Sequence, residues 1–424
     1  MDKDFELISD FKTWKSDNTG IFDYTSADVT EVNHTTDEED TYYCRKKATN
    51  KIRTYKKNIE ITKDHIILFR ARKNNKKQYE LINVIRKKMK KNIDNLNNLD
   101  HKMWLVINSE NIENKEKFAF KNKSYSLMEN DIIKLGRKKY EIIKLNVPMN
   151  PNPYIEQNSL NDSNKRHGPV FDIQLKPNQY FNEIIQKVSN ESVNKDDSDS
   201  SFGYNPEKDC RICFGSDSTE ENPKLKICNC HNYIHYNCIK QFLKNRITMS
   251  ENSQGTVTSY YCNKFNCEVC EEPFPLKFTI KFNENSELRT YYLIDGLELP
   301  ENTNYLILES LTYLKENQNV KNVFVVKLQD SEITLGRSDK NDIIDNDVSV
   351  SRHHAAIKFN QENGEITIIN KSSKFGVLVL IKDNLKLFTD EKVYLQVGRT
   401  FVNLVQKEKK QETEKEEEEE IINE

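Results

Sequence analysis

The chain reads as multidomain and mainly β, with one small metal-held unit set among the strands. Short apolar or β-branched runs at residues 324–328, 356–359, 366–369 and 377–381 are separated by turns of Asn, Asp, Gly and Lys. That is the pattern of a sandwich of short strands. Four close pairs of potential metal ligands between Cys210 and Cys270 mark the metal-held unit. A length of 424 residues, 36% hydrophobic and 31% charged, suggests two or three domains rather than one core.

Residues 1–45 are polar and acidic, as in Thr35-Thr36-Asp37-Glu38-Glu39-Asp40, and are expected to be disordered. The start Met1-Asp2-Lys3-Asp4-Phe5-Glu6 has no basic residues leading into an apolar run, so no secretory signal is expected. Residues 46–146 read as a β-rich domain. Within it the charge reverses: residues 45–91 hold roughly fifteen more Lys and Arg than Asp and Glu. Apolar runs at 66–69 and 79–82 read as strands with the lysines turned outward, which is preferred over a nucleic-acid patch because charge alone is a weak signal. Residues 147–205, with Asp196-Asp197-Ser198-Asp199-Ser200-Ser201, read as a flexible linker. The tail 407–424, with its glutamate run, reads as charged and disordered. No stretch of about 18 apolar residues exists to form a membrane span, so a soluble cytoplasmic or nuclear protein is expected.

Residues 206–280 contain Cys210-x2-Cys213, Cys228-x-Cys230, His235-x2-Cys238 and Cys267-x2-Cys270. Zinc is held four-coordinate by thiolate sulfur and imidazole nitrogen, and such short steps let one turn deliver two ligands to one ion. Four pairs make two sites. If pairs alternate, Cys210, Cys213, His235 and Cys238 hold one zinc, and Cys228, Cys230, Cys267 and Cys270 the other. Both ions would be structural, with closed coordination. Disulfides require an oxidising compartment, for which nothing at the N-terminus speaks. His231 and Cys262 are spare potential ligands, read as bystanders because eight paired ligands saturate two ions.

These residues resemble the RING-CH family, the RING variant found in ubiquitin ligases. Ile212, inside Cys210-Arg211-Ile212-Cys213, stands where RING fingers present an apolar side chain to a ubiquitin-conjugating enzyme. Cys238-Ile239-Lys240-Gln241-Phe242 resembles the run in which a ligand opens a helix with an aromatic four residues on, and Pro273-Phe274 after Cys270 resembles the closing turn. The resemblance implies a surface of Ile212, Phe242 and Pro273 for a charged conjugating enzyme, with no covalent intermediate on this chain and catalysis by positioning. PHD fingers share the ligand order and bind peptides; Phe265, two residues before Cys267, echoes their aromatic. Departures from RING-CH are the long stretch from Cys238 to Cys267, the short gap from Cys230 to His235, and Glu271 where many ligases carry a basic residue.

Residues 300–406 carry a second motif: Leu335-Gly336-Arg337-Ser338, Asn341-Asp342-Ile343, then Val348-Ser349-Val350-Ser351-Arg352-His353-His354-Ala355. This resembles the forkhead-associated (FHA) domain, a β-sandwich that binds phosphothreonine peptides through loops at one end. Arginine supplies a planar fork suited to phosphate. The resemblance assigns Arg337 and Ser351 to the phosphate, with Arg352 contributing, and His354 to bracing the loop from within; Gly336 would allow a sharp turn. The partners implied are a phosphothreonine-containing protein and a ubiquitin-conjugating enzyme. Ser373-Lys374-Phe375-Gly376 lacks the asparagine of the family's usual Asn-Gly-Thr.

The segment around Gly136-Arg137 echoes that around Gly398-Arg399, each reading as a hairpin about a glycine turn. Residues 46–146 are thus either a degenerate FHA-like sandwich or a stretch whose hairpin is alike by chance. Lacking the Ser-Arg-His-His loop, they are expected to hold no phosphate site.

Overall fold

The computed structural model describes residues 4–16, 20–56, 64–83, 96–107, 124–147, 209–228, 230, 233–280, 289–297, 299, 302–311, 321–371 and 373–409. Over these the chain is mainly β. The expected linker 147–205, all but its first residue, and positions 410–424 of the expected tail lie outside the described residues, as does His231.

A twelve-stranded sheet runs through the molecule. Its strands are, in spatial order, Ile247–Glu251, Val257–Cys262, Lys321–Lys327, Tyr305–Ser310, Lys138–Asn146, Ile132–Leu135, Val377–Leu380, Trp104–Ile107, Lys392–Val397, Thr400–Glu408, Phe5–Trp14 and Val29–Thr36. Two five-stranded sheets accompany it. One holds Ile343–Ile344, Ile333–Gly336, Ala355–Phe359, Ile366–Asn370 and Ser124–Ser126; the other holds Leu385–Lys386, Tyr79–Ile82, His65–Lys73, Asp40–Lys46 and Ile52–Lys56. One hydrophobic cluster unites all three, taking in Phe11, Tyr43, Phe69, Leu306, Leu335 and Ile357.

Residues 1–45, expected to be disordered, instead supply three strands from Phe5 to Arg45. In Phe5–Trp14 every second residue faces inward, so Phe5, Leu7 and Phe11 are buried. Phe11 stacks on Tyr43 at 5.4 Å and on Phe69 at 6.2 Å between ring centroids. A period-2 apolar face outweighs the acidic composition, because burying each such side chain contributes about 1.5–3 kcal/mol. The tail expectation also begins too early, since Thr400–Glu408 pairs with Phe5–Trp14 along its length.

The described part of the basic stretch, residues 45–56 and 64–83, is folded. Tyr43, Phe69, Tyr79 and Leu81 form its interior, and several of its cations meet acids, as in Arg72–Glu80 at 3.2 Å and Lys73–Asp4 at 2.8 Å. Strand pairing links the stretch expected as 206–280 to that expected as 300–406. The hairpin Ile247–Glu251 and Val257–Cys262 adds to the edge strand Lys321–Lys327, with Val257 opposite Val326 and Cys262 opposite Lys321. The long stretch between Cys238 and Cys267 therefore joins the cysteine-rich unit to the sandwich.

Among the described residues, no helix is long and apolar enough to cross a membrane. The one α-helix described, Tyr236–Lys244, buries Ile239 and Leu243.

Candidate phosphate-binding loops and metal centres

The strand Ile333–Gly336 delivers Arg337 to a loop end of its sandwich. Gly336 is required by close approach rather than by a left-handed turn: a Cβ there would lie 2.4 Å from the Arg352 carbonyl oxygen and 2.9 Å from Asn341 Nδ2. The backbone N–H of Arg337 donates to the Ser351 carbonyl at 2.9 Å and its Nε to the Val350 carbonyl at 3.3 Å. Arg337 and Arg352 are both exposed, and no carboxylate of the described residues pairs with either. Two unneutralised guanidinium groups flanking a serine hydroxyl make an electropositive loop end.

Loop geometry is held by side chains that face inward. Asn341 Nδ2 donates to the carbonyls of Ser338 and Arg352, at 2.8 and 2.7 Å, tying the two arginine loops together. His354, fully buried, accepts from the Ser351 N–H at Nδ1 (2.9 Å) and donates from Nε2 to the Gly376 carbonyl (2.9 Å). One imidazole thus ties two loops together. The Ser351 hydroxyl accepts the Lys374 N–H at 3.1 Å. The missing Asn-Gly-Thr asparagine has no substitute at the loop tip; Asn370 instead caps the loop from the strand end, accepting the Ser373 N–H at 3.0 Å.

Burial pushes the His354 imidazole down to about 4, with the Gly376 carbonyl opposing more weakly. An unfolded histidine titrates near 6.5. Between about 6.5 and about 4 the unfolded chain therefore binds a proton that the folded chain refuses. Stability from this group is complete above about 6.5 and is lost as pH falls through that window, by up to about 3 kcal/mol. The expected NMR result at pH 5.5 is a neutral His354 with its proton on Nε2; an imidazolium signal there would contradict this geometry.

Sequence reasoning missed the segment 20–24, which lies against the same loops. Asp23, buried, pairs with Lys374 Nζ at 2.9 Å, and the Tyr24 N–H donates to the Lys374 carbonyl. Gly376 has φ +68, and a Cβ there would meet the Tyr24 ring at 2.9 Å. Nothing local in residues 20–24 signals this partner, since their contacts are formed with a loop some 350 residues away.

The eight predicted ligands gather into two clusters: Cys210, Cys213, His235 and Cys238; and Cys228, Cys230, Cys267 and Cys270. In each, the ligand atoms lie within 4.8 Å of one another. The donor set fits zinc. Thiolates about 2.3 Å from a shared tetrahedral ion stand about 3.8 Å apart, and Cys230 Sγ lies 3.8 Å from Cys267 Sγ. His235 turns Nδ1 toward Cys213 Sγ (3.1 Å) and Cys238 Sγ (3.9 Å). Its Nε2 donates to the Asp217 carbonyl, the outer contact that orients a ligating imidazole. Burial pushes the Cys210 thiol up, but the backbone N–H groups of Cys213, His235 and Ile212 outweigh it and hold it at about 6. A thiol held that low is predisposed to the thiolate that binds metal, whereas burial raises the thiols of Cys228, Cys230 and Cys238. Cys262 stands apart, buried in the hairpin that joins the sandwich, with burial raising its thiol to about 12.

Ile212 is 42% exposed between the first two ligands, whereas Phe242 and Pro273 are half-buried. Two further apolar side chains were not singled out by sequence: Phe214 and Val269, 80% and 59% exposed beside the knuckles. Phe242 lies under the Arg246 guanidinium, 4.1 Å from its ring centroid.

Neither a curated protein nor a solved structure matches this chain. The FHA domain family matches residues 333–402, the stretch that contains Arg337, Ser351, Arg352 and His354. The chain therefore carries an FHA domain, a module for phosphothreonine-dependent recognition of partner proteins.

Proposed function

We propose that this chain is a RING-type ubiquitin ligase that selects phosphorylated partners: the FHA domain takes the phosphothreonine, and the cysteine-rich unit presents a charged ubiquitin-conjugating enzyme. Arg337, Ser351 and Arg352 bind the phosphate, while His354 and Asn341 hold their loops. Zinc in the two clusters supplies structural cross-links. Ile212, Phe242 and Pro273 form the contact for the conjugating enzyme, joined on this reading by Phe214 and Val269. The chain contributes orientation rather than a nucleophile, since bringing a thioester and an amine together in reactive geometry is itself a large rate factor.

The observation that carries the reading is the alternating pairing of ligands around two clusters, with Ile212 projecting from the first knuckle. A second reading, a phospho-dependent adaptor with a PHD-like peptide-binding finger, is favoured by Phe265. This side chain is buried beside the second cluster and meets Phe274 edge-on at 6.2 Å. Chain formation in the presence of a panel of conjugating enzymes decides between them. Ile212→Ala is expected to lower it at least about tenfold, the loss of an apolar anchor at an interface. The absence of transfer with every enzyme, together with histone-tail binding, would establish the adaptor instead.

A further inference from the structure

We infer that the phosphate-recognising end of the FHA domain is closed and braced by the hairpin at residues 132–146 rather than by the domain's own last hairpin, two sandwiches in this chain having exchanged their final strands. The bracing half of this inference rests on the phosphopeptide reading above; the exchange itself does not.

The chain runs through the same series of strands twice. From Phe5–Trp14 to Trp104–Ile107, and again from Tyr305–Ser310 to Val377–Leu380, seven strands are followed by a short strand and a final hairpin with a glycine turn. The final pieces then cross over. Ile132–Leu135 pairs with Val377–Leu380, and Lys138–Asn146 with Tyr305–Ser310. Reciprocally, Lys392–Val397 pairs with Trp104–Ile107, and Thr400–Glu408 with Phe5–Trp14. The short strands do likewise, Ser124–Ser126 joining Ile366–Asn370 and Leu385–Lys386 joining Tyr79–Ile82. At the crossing, Trp104–Ile107 and Val377–Leu380 lie antiparallel with Trp104 opposite Leu380 and Val106 opposite Leu378. An exchange at one equivalent point in both series accounts for every one of these pairings.

The consequence falls on the loop leading to Ser351. Gly136, at φ +62, lets the turn approach so closely that a Cβ would lie 2.4 Å from the Ser349 carbonyl oxygen. The Arg137 N–H donates to Ser349 Oγ at 2.9 Å, and its Nη2 reaches Asp347 at 3.2 Å. The Tyr140 hydroxyl donates to Asp345, and Lys138 Nζ stands 3.8 Å from the same carboxylate. Left bare, Asp345 and Asp347 would repel a phosphate arriving at Ser351; the exchanged hairpin neutralises them and sets the loop. The equivalent turn in the family-matched segment, Gly398-Arg399, serves the other sandwich. There Arg399 donates to the carbonyls of Lys15 and Ser16 and, at 2.7 Å, to Asn50. Arg137 and Tyr140, both outside the FHA match, are thus positioning residues for the phosphate loop.

Two measurements on the full-length zinc-loaded chain test this. The first is zero-length carbodiimide cross-linking in an equal mixture of ¹⁵N-labelled and unlabelled chains. A Lys138–Asp345 link within single chains is expected; its absence, or its occurrence only between chains, overturns the exchange. The second is titration with a phosphothreonine peptide. Arg137→Ala should weaken binding about three- to fivefold, the scale of a partly exposed ion pair, Arg137→Lys should restore most of it, and Arg399→Ala should leave it unchanged. Weakening by Arg399→Ala with none by Arg137→Ala overturns the brace. If the unmodified chain binds no phosphopeptide while the cross-link forms, the phosphopeptide reading and the brace fall together and the exchange stands.

Discussion

Arg337→Ala is expected to weaken phosphothreonine-peptide binding by about 100-fold while leaving the fold intact. Charge-assisted hydrogen bonds from a guanidinium to phosphate contribute about 1.5–3 kcal/mol, and a fork that makes two of them reaches the upper end. The same side chain does little for stability: it is exposed, and its one described side-chain bond is from Nε to the Val350 carbonyl. Surface substitutions of that kind change stability by about 0.5 kcal/mol or less. Isothermal titration and a thermal melt on the same preparation separate the two effects. Equal affinity in the variant would place the phosphate elsewhere.

Removing metal should have the largest effect on structure. Elemental analysis of the purified chain is expected to return two zinc equivalents, and stripping them should unfold residues 209–280. Small structural zinc modules owe about 10–16 kcal/mol of apparent folding free energy to the ion, a sum comparable to the whole net stability of a domain. The damage should spread, because Val257–Cys262 covers the edge of Lys321–Lys327 and carries the buried Val257 and Tyr260. The FHA domain's melting temperature should therefore fall as well. Thiol titration supplies a second readout, since Cys44 is buried in the N-terminal sandwich and should stay protected, while the cysteines of both clusters, and Cys262 between them, should become reactive once the ion leaves. One equivalent or none, or an unchanged melt after chelation, would remove the two-site reading.

How legible the molecule was depended on where the information sat. The metal clusters were legible because cysteine and histidine pairs two or three residues apart carry their geometry locally. The loop from Val348 to Ala355 was legible for a similar reason: its inner partners Asn341 and Gly376 lie within a few dozen residues, whereas its contact with Arg137, some 210 residues away, was not legible. The first strand was legible in principle, since Phe5, Leu7 and Phe11 alternate, but its acidic neighbours suggested disorder. Charge composition is a statement about average solvation, whereas a single inward face decides whether a strand is buried.

By itself the sequence determined the β class, the seven cysteines and one histidine that gather into two clusters, and the stretch that matches the FHA family. Only the tertiary structure decided that residues 132–146 belong to the C-terminal sandwich and residues 392–408 to the N-terminal one, that Asp23 meets Lys374, and that the stretch between Cys238 and Cys267 extends a sheet. Backbone hydrogen bonds between strands are chemically alike wherever they form. Two hairpins with the same alternation around Gly136 and Gly398 can close either sandwich, so which one each closes is settled by long-range packing at the crossing of Trp104–Ile107 with Val377–Leu380.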